Sequence, residues 1–439
     1  MKAPLPPGPT TGFFSRLKEM RADFLGFLSR SARAHGDVVR LAMAPGTAVT
    51  LVNHPEHIED VLVKRAGLFV KSASTRRMVG KFLGNGLVTS EGEENARQRK
   101  LIRPVLHSQK LQGYGAVMVD YTRQLMEGWS TGQVVDVDAE MTRLALRIVA
   151  RTLFDADASE TTSQVGQALR ALERAVQERF LTIPFPDWVP TGPNRRQAAA
   201  VRQIHHVLRG LVAARRDAPG EDLLSLLLQA RYEDGQPMPE QLVLDEAVTL
   251  FFAGHETSAH LLSWTLWLLA RHPEAEAKVR AEVAQVAGER ALTVEDVPRL
   301  VEVDRVLKEA LRLYPPSWVF DRAPVEDVEV GGYRIPKGDA IYISPWVTHR
   351  DPRWFPDPEQ FLPGRWEAGS EPQQRFTYFP FGVGRRVCIG QAFALLESRL
   401  VLATLLQRVR LVLPEGSQVL PEPSATLKPR GGLPLRVER

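Results

Sequence analysis

The sequence predicts a mainly α-helical protein with a small β lobe, and two patterns support this prediction. Over residues 55–312, apolar residues recur at three- and four-residue spacing, as they do on amphipathic helices. Runs typical of β-strands lie on both sides of this helical middle, at residues 38–43, 48–52, 325–335 and 340–344. Because a sheet assembled from both ends of a chain cannot be divided, we predict one domain over residues 1–439.

The individual elements are predicted from local signals. The first two strand runs alternate in polarity and flank Pro45-Gly46, so they predict a β-hairpin. Proline-rich breaks divide the helical middle, because proline interrupts helices. The other predicted elements are a helix at residues 15–35, breaks at 183–193 and 236–239, a turn at Gly331-Gly332, an irregular stretch over 349–386, a helix over 391–407 and strand-like tails.

Composition excludes several classes of protein. The 439 residues are 44% hydrophobic and 25% charged, which is typical of a globular protein and not of a disordered or multi-span membrane protein. The net charge of +4 is spread along the chain, whereas nucleic-acid binders concentrate basic residues on one face. The N-terminus lacks a signal-peptide pattern, and the longest uncharged apolar stretch, residues 257–270, is shorter than the roughly 18 residues that a membrane span needs. We therefore expect a cytoplasmic protein with no membrane anchor and no nucleic-acid partner.

The chain contains one cysteine, Cys388, which excludes a disulfide framework and a cysteine-based zinc cluster. A buried inert thiol and a reactive or metal-bound thiolate both remain open on composition alone. Glycines at 382, 384 and 390 allow a tight loop around the cysteine, just before the predicted helix. Backbone N–H groups and the positive end of a helix dipole would stabilise a thiolate there. No His-Asn or His-Asp pattern nearby indicates a hydrolytic nucleophile.

Two familiar motifs are incomplete in this sequence. His255 and His260 are five residues apart, whereas a zinc-protease helix needs four, and Ala259 occupies the required position. At about 100° per residue the two histidines lie roughly 140° apart around the helix. Gly382-Val383-Gly384 begins like a dinucleotide fingerprint, but Val387 stands at the third glycine position, and no P-loop is present.

The cysteine loop carries a recognisable pattern. Phe381, Gly384, Arg386, Cys388 and Gly390 spell Phe-x-x-Gly-x-Arg-x-Cys-x-Gly, which resembles the haem-thiolate loop of cytochromes P450. The resemblance implies the cytochrome P450 fold, haem b (iron protoporphyrin IX) as cofactor, and Cys388 as the iron ligand, whose thiolate pushes electron density towards oxygen. It also implies that Phe381, Gly382, Gly384 and Gly390 contact the haem.

A second segment agrees with this resemblance. Glu309 and Arg312 are three residues apart on a predicted helix and so share one face; taken alone, such a pair is an ordinary surface ion pair. Followed by Phe-Leu-Pro-Gly-Arg365-Trp366, the pair resembles the family's Glu-x-x-Arg helix and its partner arginine. The resemblance implies that Glu309, Arg312 and Arg365 form a buried network that holds the cysteine loop. Trp366 stands where the family usually has phenylalanine.

A third segment, Ala253-Gly254-His255-Glu256-Thr257-Ser258, resembles the oxygen-binding stretch of the family's central helix. Small residues at 253 and 254 would let the helix lie close over the haem. A threonine in mid-helix ordinarily bonds back to a carbonyl one turn earlier. The resemblance implies that Thr257 and Glu256 are catalytic residues that deliver protons to oxygen.

Arginines are candidates for the haem propionates, because guanidinium pairs well with carboxylate. Arg386 lies in the cysteine loop, and Arg322 precedes the strand predicted from Val325. The third candidate is Arg99, and the family usually carries Trp or His four residues before this arginine. Asn95 stands at that position instead. We therefore expect one propionate contact to be weakened or replaced.

The resemblance implies a monooxygenase that hydroxylates a lipophilic small molecule, such as a fatty acid, terpenoid or steroid, using O₂ and two electrons. No reductase segment follows the cysteine region, so the electrons are expected from a ferredoxin or flavodoxin with its reductase. A basic face of Arg97, Lys100, Arg103 and Arg385 would attract such an acidic partner, and a merely solubilising surface is the alternative. A monomer is expected.

The pocket should be lined by apolar segments rich in Phe, Trp, Leu and Val. These are residues 71–88, 180–189, the helix before Thr257, residues 317–320 and the turn near 427–433. A peroxygenase or isomerase of the haem-thiolate type is an alternative, against which the Glu256-Thr257 pair argues. A non-catalytic haem sensor is another, although no signalling module is attached.

Overall fold

A computed structural model describes residues 3–44, 47–106, 108–155, 191–217, 219–220 and 222–439, together with positions 166, 171 and 189. The Pro45-Gly46 turn, most of the break at 183–193, and residues 180–188 of the predicted pocket segment lie outside these described residues.

The mainly helical architecture is confirmed. Within the described ranges the helices are α1 Phe13–Ala22, α2 Phe24–His35, α3 Pro55–Glu59, α4 Ala73–Leu83, α5 Gly92–Ile102, α6 Ser108–Glu127, α7 Val137–Phe154, α8 Gly192–Asp217, α9 Leu223–Gln229, α10 Glu240–Arg271, α11 Pro273–Ala287, α12 Val301–Leu313, α13 Pro345–Thr348 and α14 Gln391–Arg408. No helix in the described parts of the chain is both long and apolar enough to cross a bilayer.

The strands form four small sheets. They are β1 Val38–Ala44, β2 Thr47–Val52, β3 Phe69–Val70, β4 Val134–Asp136, β5 Phe320–Pro324, β6 Val328–Val330, β7 Tyr333–Ile335, β8 Ala340–Ile343, β9 Arg410–Val412, β10 Pro421–Pro423, β11 Leu427–Pro429 and β12 Pro434–Glu438. The largest sheet has the order β1-β2-β8-β5-β3, and the others are β4-β12-β9, β6-β7 and β10-β11. Antiparallel pairing of β1 with β2, in which Val38 faces Val52, confirms the strands of the predicted hairpin.

Three local predictions needed correction. The helical pattern at residues 15–35 is two helices, because the Asp23 carboxylate accepts from the Gly26 N–H and caps α2. The strand run predicted over residues 325–335 is confirmed as the antiparallel pair β6–β7, which turns at Gly331-Gly332, but it begins at Val328 and not at Val325. The short strands β3 and β4 within the helical middle were missed, because two or three residues show no alternation.

The chain forms two compact units, each made from separated stretches of sequence. The first unit contains Met1–Met78 and Lys308–Cys388. Its core lies between the large sheet and the segments around it, with side chains such as Ile58, Ile341 and Phe379 buried.

The second unit contains Val79–Leu307 and Ile389–Arg439. Its central element is α10, which packs against α7, α8, α11 and α14. Because α10 is surrounded by these helices, most of its side chains are buried, polar ones included.

Candidate functional site

The loop that carries Cys388 is closed by its own backbone. The Cys388 N–H donates to the Phe381 carbonyl over 2.8 Å, and a short 3₁₀ turn, Gly384–Arg386, lies between them. Gly382 and Gly384 have φ angles of +69° and +72°, and a Cβ on Gly384 would stand 2.3 Å from the Leu62 carbonyl oxygen. Both positions therefore require glycine. The Cys388 side chain is exposed, and α14 begins three residues later.

Gly390 does not share this backbone requirement. Its φ of −87° is one that other residues adopt. The backbone angle therefore gives no reason for glycine at this third predicted loop position.

The Glu309 carboxylate is the centre of a buried network in the first unit. Arg312 donates to both of its oxygens, over 2.9 and 2.8 Å, and both side chains are fully buried. Arg365 Nε lies 3.4 Å from Glu309 Oε1, and the Leu362 N–H donates to the same oxygen over 3.0 Å. The structure thus brings Glu309, Arg312 and Arg365 together inside the protein, and the surface-pair interpretation does not apply.

Trp366 adds a further donor to this carboxylate. Its indole Nε1 donates to Glu309 Oε2 over 2.9 Å, and its ring lies 4.5 Å from that of Tyr378, centroid to centroid. Phenylalanine, the usual residue of the resembled family, has no N–H to donate. Tryptophan at this position therefore keeps an aromatic ring and adds a hydrogen bond to the carboxylate.

His349, which belongs to none of the sequence motifs, connects the network to the cysteine loop. Arg312 donates to the His349 carbonyl over 2.9 Å, and His349 Nε2 accepts the Phe379 N–H over 2.9 Å, two residues before Phe381. Burial, with positive charges on Arg312 and Arg350, holds the pKa of His349 well below its usual value. The neutral ring can therefore act as an acceptor. His349 lies in the stretch predicted to be irregular, where no helical or strand periodicity indicates which side chains are buried.

In the second unit, a partly exposed strip interrupts the buried middle of α10. Phe252, Ala253, Gly254 and Thr257 are partly exposed, whereas His255 and Glu256 are buried. The Thr257 hydroxyl donates to the Ala253 carbonyl over 2.8 Å, so its oxygen keeps lone pairs that can accept. A Cβ on Gly254 would lie 3.2 Å from Val149 on α7. Close packing between α7 and α10 therefore also favours glycine at this position.

Glu397 on α14 is a buried acid near this helix. Burial raises the pKa of Glu397 to about 8, while Ser258 and His255 oppose the rise. No sequence pattern singles out Glu397, because a glutamate in an amphipathic helix is ordinarily exposed.

The three candidate arginines occupy different elements. Arg322 lies inside β5 rather than before a strand, is buried, and donates to the Asp321 carbonyl over 2.7 Å. Arg386 lies in the 3₁₀ turn of the cysteine loop, and Arg99 lies on α5, both half-buried. Arg322 and Arg386 belong to the first unit with Cys388, and Arg99 belongs to the second unit with Glu256 and Thr257.

Asn95 on α5 is buried and its amide is engaged within the chain. Nδ2 donates to the Leu87 carbonyl over 2.9 Å and to Ser90 Oγ over 3.0 Å. Both N–H donors of the amide are thereby used. Asn95 therefore holds the preceding turn and has no donor left for a propionate.

The same turn is fixed to α10 by two carboxylates. The Asn85 N–H donates to Asp245 Oδ2 over 2.8 Å, and the Leu87 N–H donates to Glu246 Oε2 over 2.9 Å. Burial raises the pKa of Glu246 to about 8. The C-terminal end of the predicted pocket segment 71–88 is therefore tied to the helix that carries Thr257.

The predicted basic face is partly neutralised. Arg97 forms a 3.1 Å ion pair with Asp234 and stacks over the Tyr232 ring, and Lys100 pairs with Glu233. The acidic residues precede α10, so the face on α5 is a mixed-charge surface.

The two histidines of the incomplete zinc motif have separate partners. His255 Nδ1 lies 2.7 Å from the Phe251 carbonyl, and His260 Nδ1 lies 2.9 Å from Thr426 Oγ1. Among the described residues, no group of three or more potential ligands is placed to hold a metal ion.

The donor set fits a haem. An exposed thiol in a tight glycine loop is a suitable axial ligand, and guanidinium groups suit propionates. The partly exposed strip on α10 contains small residues, which suits close approach of a flat group.

Comparison with known proteins agrees with this fit. The cytochrome P450 family model matches residues 3–435. Cyclooctatin synthase of Streptomyces melanosporofaciens is 37% identical over 411 residues, which is 92% of this chain and 89% of that protein. Pentalenene oxygenase of Streptomyces avermitilis is 34% identical over 92% of this chain and 90% of that protein. The crystal structure of the cytochrome P450DA heme domain covers 100% of this chain and 98% of its own, with a TM-score of 0.87 and 27% identity. The chain therefore belongs to the cytochrome P450 family of haem-iron monooxygenases.

Proposed function

We propose that this monooxygenase hydroxylates a lipophilic terpenoid. The observation that carries the substrate class is similarity, along about nine-tenths of both chains, to relatives named cyclooctatin synthase, cyclooctat-9-en-7-ol 5-monooxygenase and pentalenene oxygenase. The apolar character of the predicted pocket segments supports a substrate of this kind. Fatty acids and steroids would also suit an apolar pocket, but the similarity to terpenoid-named relatives does not support them.

In this proposal Cys388 ligates the iron of haem b, and Arg99, Arg322 and Arg386 bind the propionates. The haem, when bound, supplies oxygen activation. The residues proposed to contact the haem lie in the cysteine loop and on α10, and they are Phe381, Gly382, Gly384, Gly390, Ala253 and Gly254.

Proton delivery is assigned to Glu256 and Thr257. The Thr257 hydroxyl hydrogen is held by the Ala253 carbonyl, so the oxygen can accept a hydrogen bond from water and hold it in place. Glu256 is buried next to it in sequence and can hold and release a proton. Such an acid–alcohol pair favours a monooxygenase that uses O₂ over a peroxygenase, which receives its protons with the peroxide.

Rigidity of the thiolate loop is assigned to Glu309, Arg312 and Arg365. Electrons are proposed to come from a ferredoxin or flavodoxin with its reductase, and residues 1–439 are proposed to be one cytochrome P450 domain, which the family match over residues 3–435 supports. The cytoplasmic location and the monomeric state stay predictions.

The test begins with the reduced CO difference spectrum of the holoenzyme, which should show the thiolate band, and Cys388→Ser should abolish that band. A terpenoid library is then screened for the high-spin shift of the Soret band. Hits should support NAD(P)H-coupled hydroxylation with a surrogate ferredoxin and reductase, and Thr257→Ala should uncouple NAD(P)H use from product. Shifts with fatty acids or steroids alone would contradict the substrate class, and efficient turnover with hydrogen peroxide alone would favour a peroxygenase.

A further inference from the structure

Two buried side chains of α10 hold the hairpin formed by β10 and β11. Thr426 Oγ1, near the hairpin tip, lies 2.9 Å from His260 Nδ1, and Trp264 Nε1 donates to the Leu427 carbonyl over 2.9 Å. All four residues are buried. These contacts join parts of the chain that lie more than 160 residues apart in sequence.

The other ring nitrogen of His260 faces a carboxylate on a neighbouring helix. Its Nε2 lies 3.7 Å from Asp138 Oδ1 on α7. This separation exceeds hydrogen-bond distance, so the carboxylate acts on the ring through its charge, and Nδ1 can bond the Thr426 hydroxyl either as donor or as acceptor. The ring thus links α7 to the hairpin through α10.

The two anchoring residues share a helix face with Thr257. Successive residues are about 100° apart, so Thr257, His260 and Trp264 fall within roughly 60° around α10. Along the axis, His260 is about 4.5 Å and Trp264 about 10.5 Å beyond Thr257. The hairpin therefore lies along the face that carries Thr257, one to two turns further on.

The tip of the hairpin is held on both sides of an exposed residue. Ser424 and Thr426 are buried, and the Ser424 N–H donates to the Thr426 carbonyl over 3.0 Å. Ala425 between them is exposed. A hydrogen bond to Thr426 and another to the backbone of Leu427 leave the tip little freedom to slide along α10.

We propose that His260 and Trp264 are positioning residues that set where the turn of residues 424–427 stands relative to Thr257, and so determine which substrate carbon is hydroxylated. The inference rests on the proposed function, because Leu427, the last residue of that turn, begins the segment near 427–433 that is predicted to line the substrate pocket. Neither side chain needs to touch the substrate. Their effect passes through the hairpin.

The test compares three variants of the holoenzyme. Thr426→Val keeps the shape of the side chain and removes the hydroxyl, Thr426→Ser keeps the hydroxyl, and Trp264→Phe removes the indole donor. The probes are imidazole and the bulkier 4-phenylimidazole, whose binding is followed by the Soret shift. The ratio of their Kd values should change about fivefold in Thr426→Val, in line with one lost buried hydrogen bond. Thr426→Ser should match the wild type, and if Trp264→Phe does not fold, the Thr426 pair carries the test.

Two further measurements separate this inference from the proposed function. Amide hydrogen exchange over residues 424–428 should speed up about fivefold in Thr426→Val. With a hydroxylated terpenoid, the ratio of regioisomers should change in Thr426→Val and not in Thr426→Ser. If no terpenoid is hydroxylated while exchange and Kd ratio change as expected, the substrate class is wrong and the anchor stands. Lower stability with an unchanged Kd ratio and regioisomer ratio would overturn the inference.

Discussion

Replacing Trp366 with phenylalanine isolates one hydrogen bond of the Glu309 network. The carboxylate accepts five hydrogen bonds: two from Arg312 and one each from Leu362, Arg365 and Trp366. A hydrogen bond to a charged group contributes about 1.5–3 kcal/mol. Phenylalanine leaves no orphaned donor and four bonds remain, so we expect a loss of about 1.5–2 kcal/mol in unfolding free energy, at the low end of that range.

The assay is urea unfolding of the holoenzyme followed by far-UV circular dichroism, with the CO difference spectrum as a check on the thiolate loop. Trp354→Phe is the matched control, because the Trp354 indole N–H is buried and has no hydrogen-bond partner among the described residues. Trp366→Phe should be less stable than this control and keep the thiolate band. Equal stability of the two variants would refute the reasoning, and so would a loss above about 4 kcal/mol, the scale of breaking a buried ion pair.

Three further predictions concern a loop contact, a buried acid and a surface. His349→Phe removes the acceptor of the Phe379 N–H and should shift part of the CO band away from the thiolate position. His349→Gln keeps an acceptor and should retain the thiolate band. A full thiolate band in His349→Phe would contradict this prediction. Burial raises the pKa of Glu246 from 4.5 to about 8, so folding disfavours its ionised form and unfolding free energy should fall as pH rises from about 5 to 8. Glu246→Gln should show a shallower fall in urea titrations, and parallel profiles would count against the assignment. The double variant Glu233→Gln/Asp234→Asn should expose basic charge and accelerate reduction by an acidic ferredoxin in stopped-flow measurements at low salt, with the gain lost at high salt; a rate unchanged at low salt would refute it.

Long periodic elements and dense motifs were predictable from the sequence. The helix at 391–407 was predicted almost to its ends, Gln391–Arg408, because its apolar spacing spans several turns. The glycines at 382 and 384 were predicted to shape the cysteine loop, and their positive φ angles agree. Asp23, by contrast, divides one predicted helix into two, because a single capping side chain is a weak signal within an amphipathic pattern.

The sequence by itself determined the family and pointed to the thiolate, because the cysteine loop, the Glu-x-x-Arg pair and the Glu-Thr pair depend on residue types at short, regular spacings. Only the tertiary structure decided what those residues contact. The indole bond of Trp366, the acceptor role of His349 and the engagement of the Asn95 amide join side chains to groups that local periodicity does not bring together. The anchoring of the C-terminal hairpin by His260 and Trp264 spans still greater sequence distances. Such contacts form only when packing of helices and loops brings buried polar groups within hydrogen-bond distance. The order of residues along the chain does not specify which groups will meet.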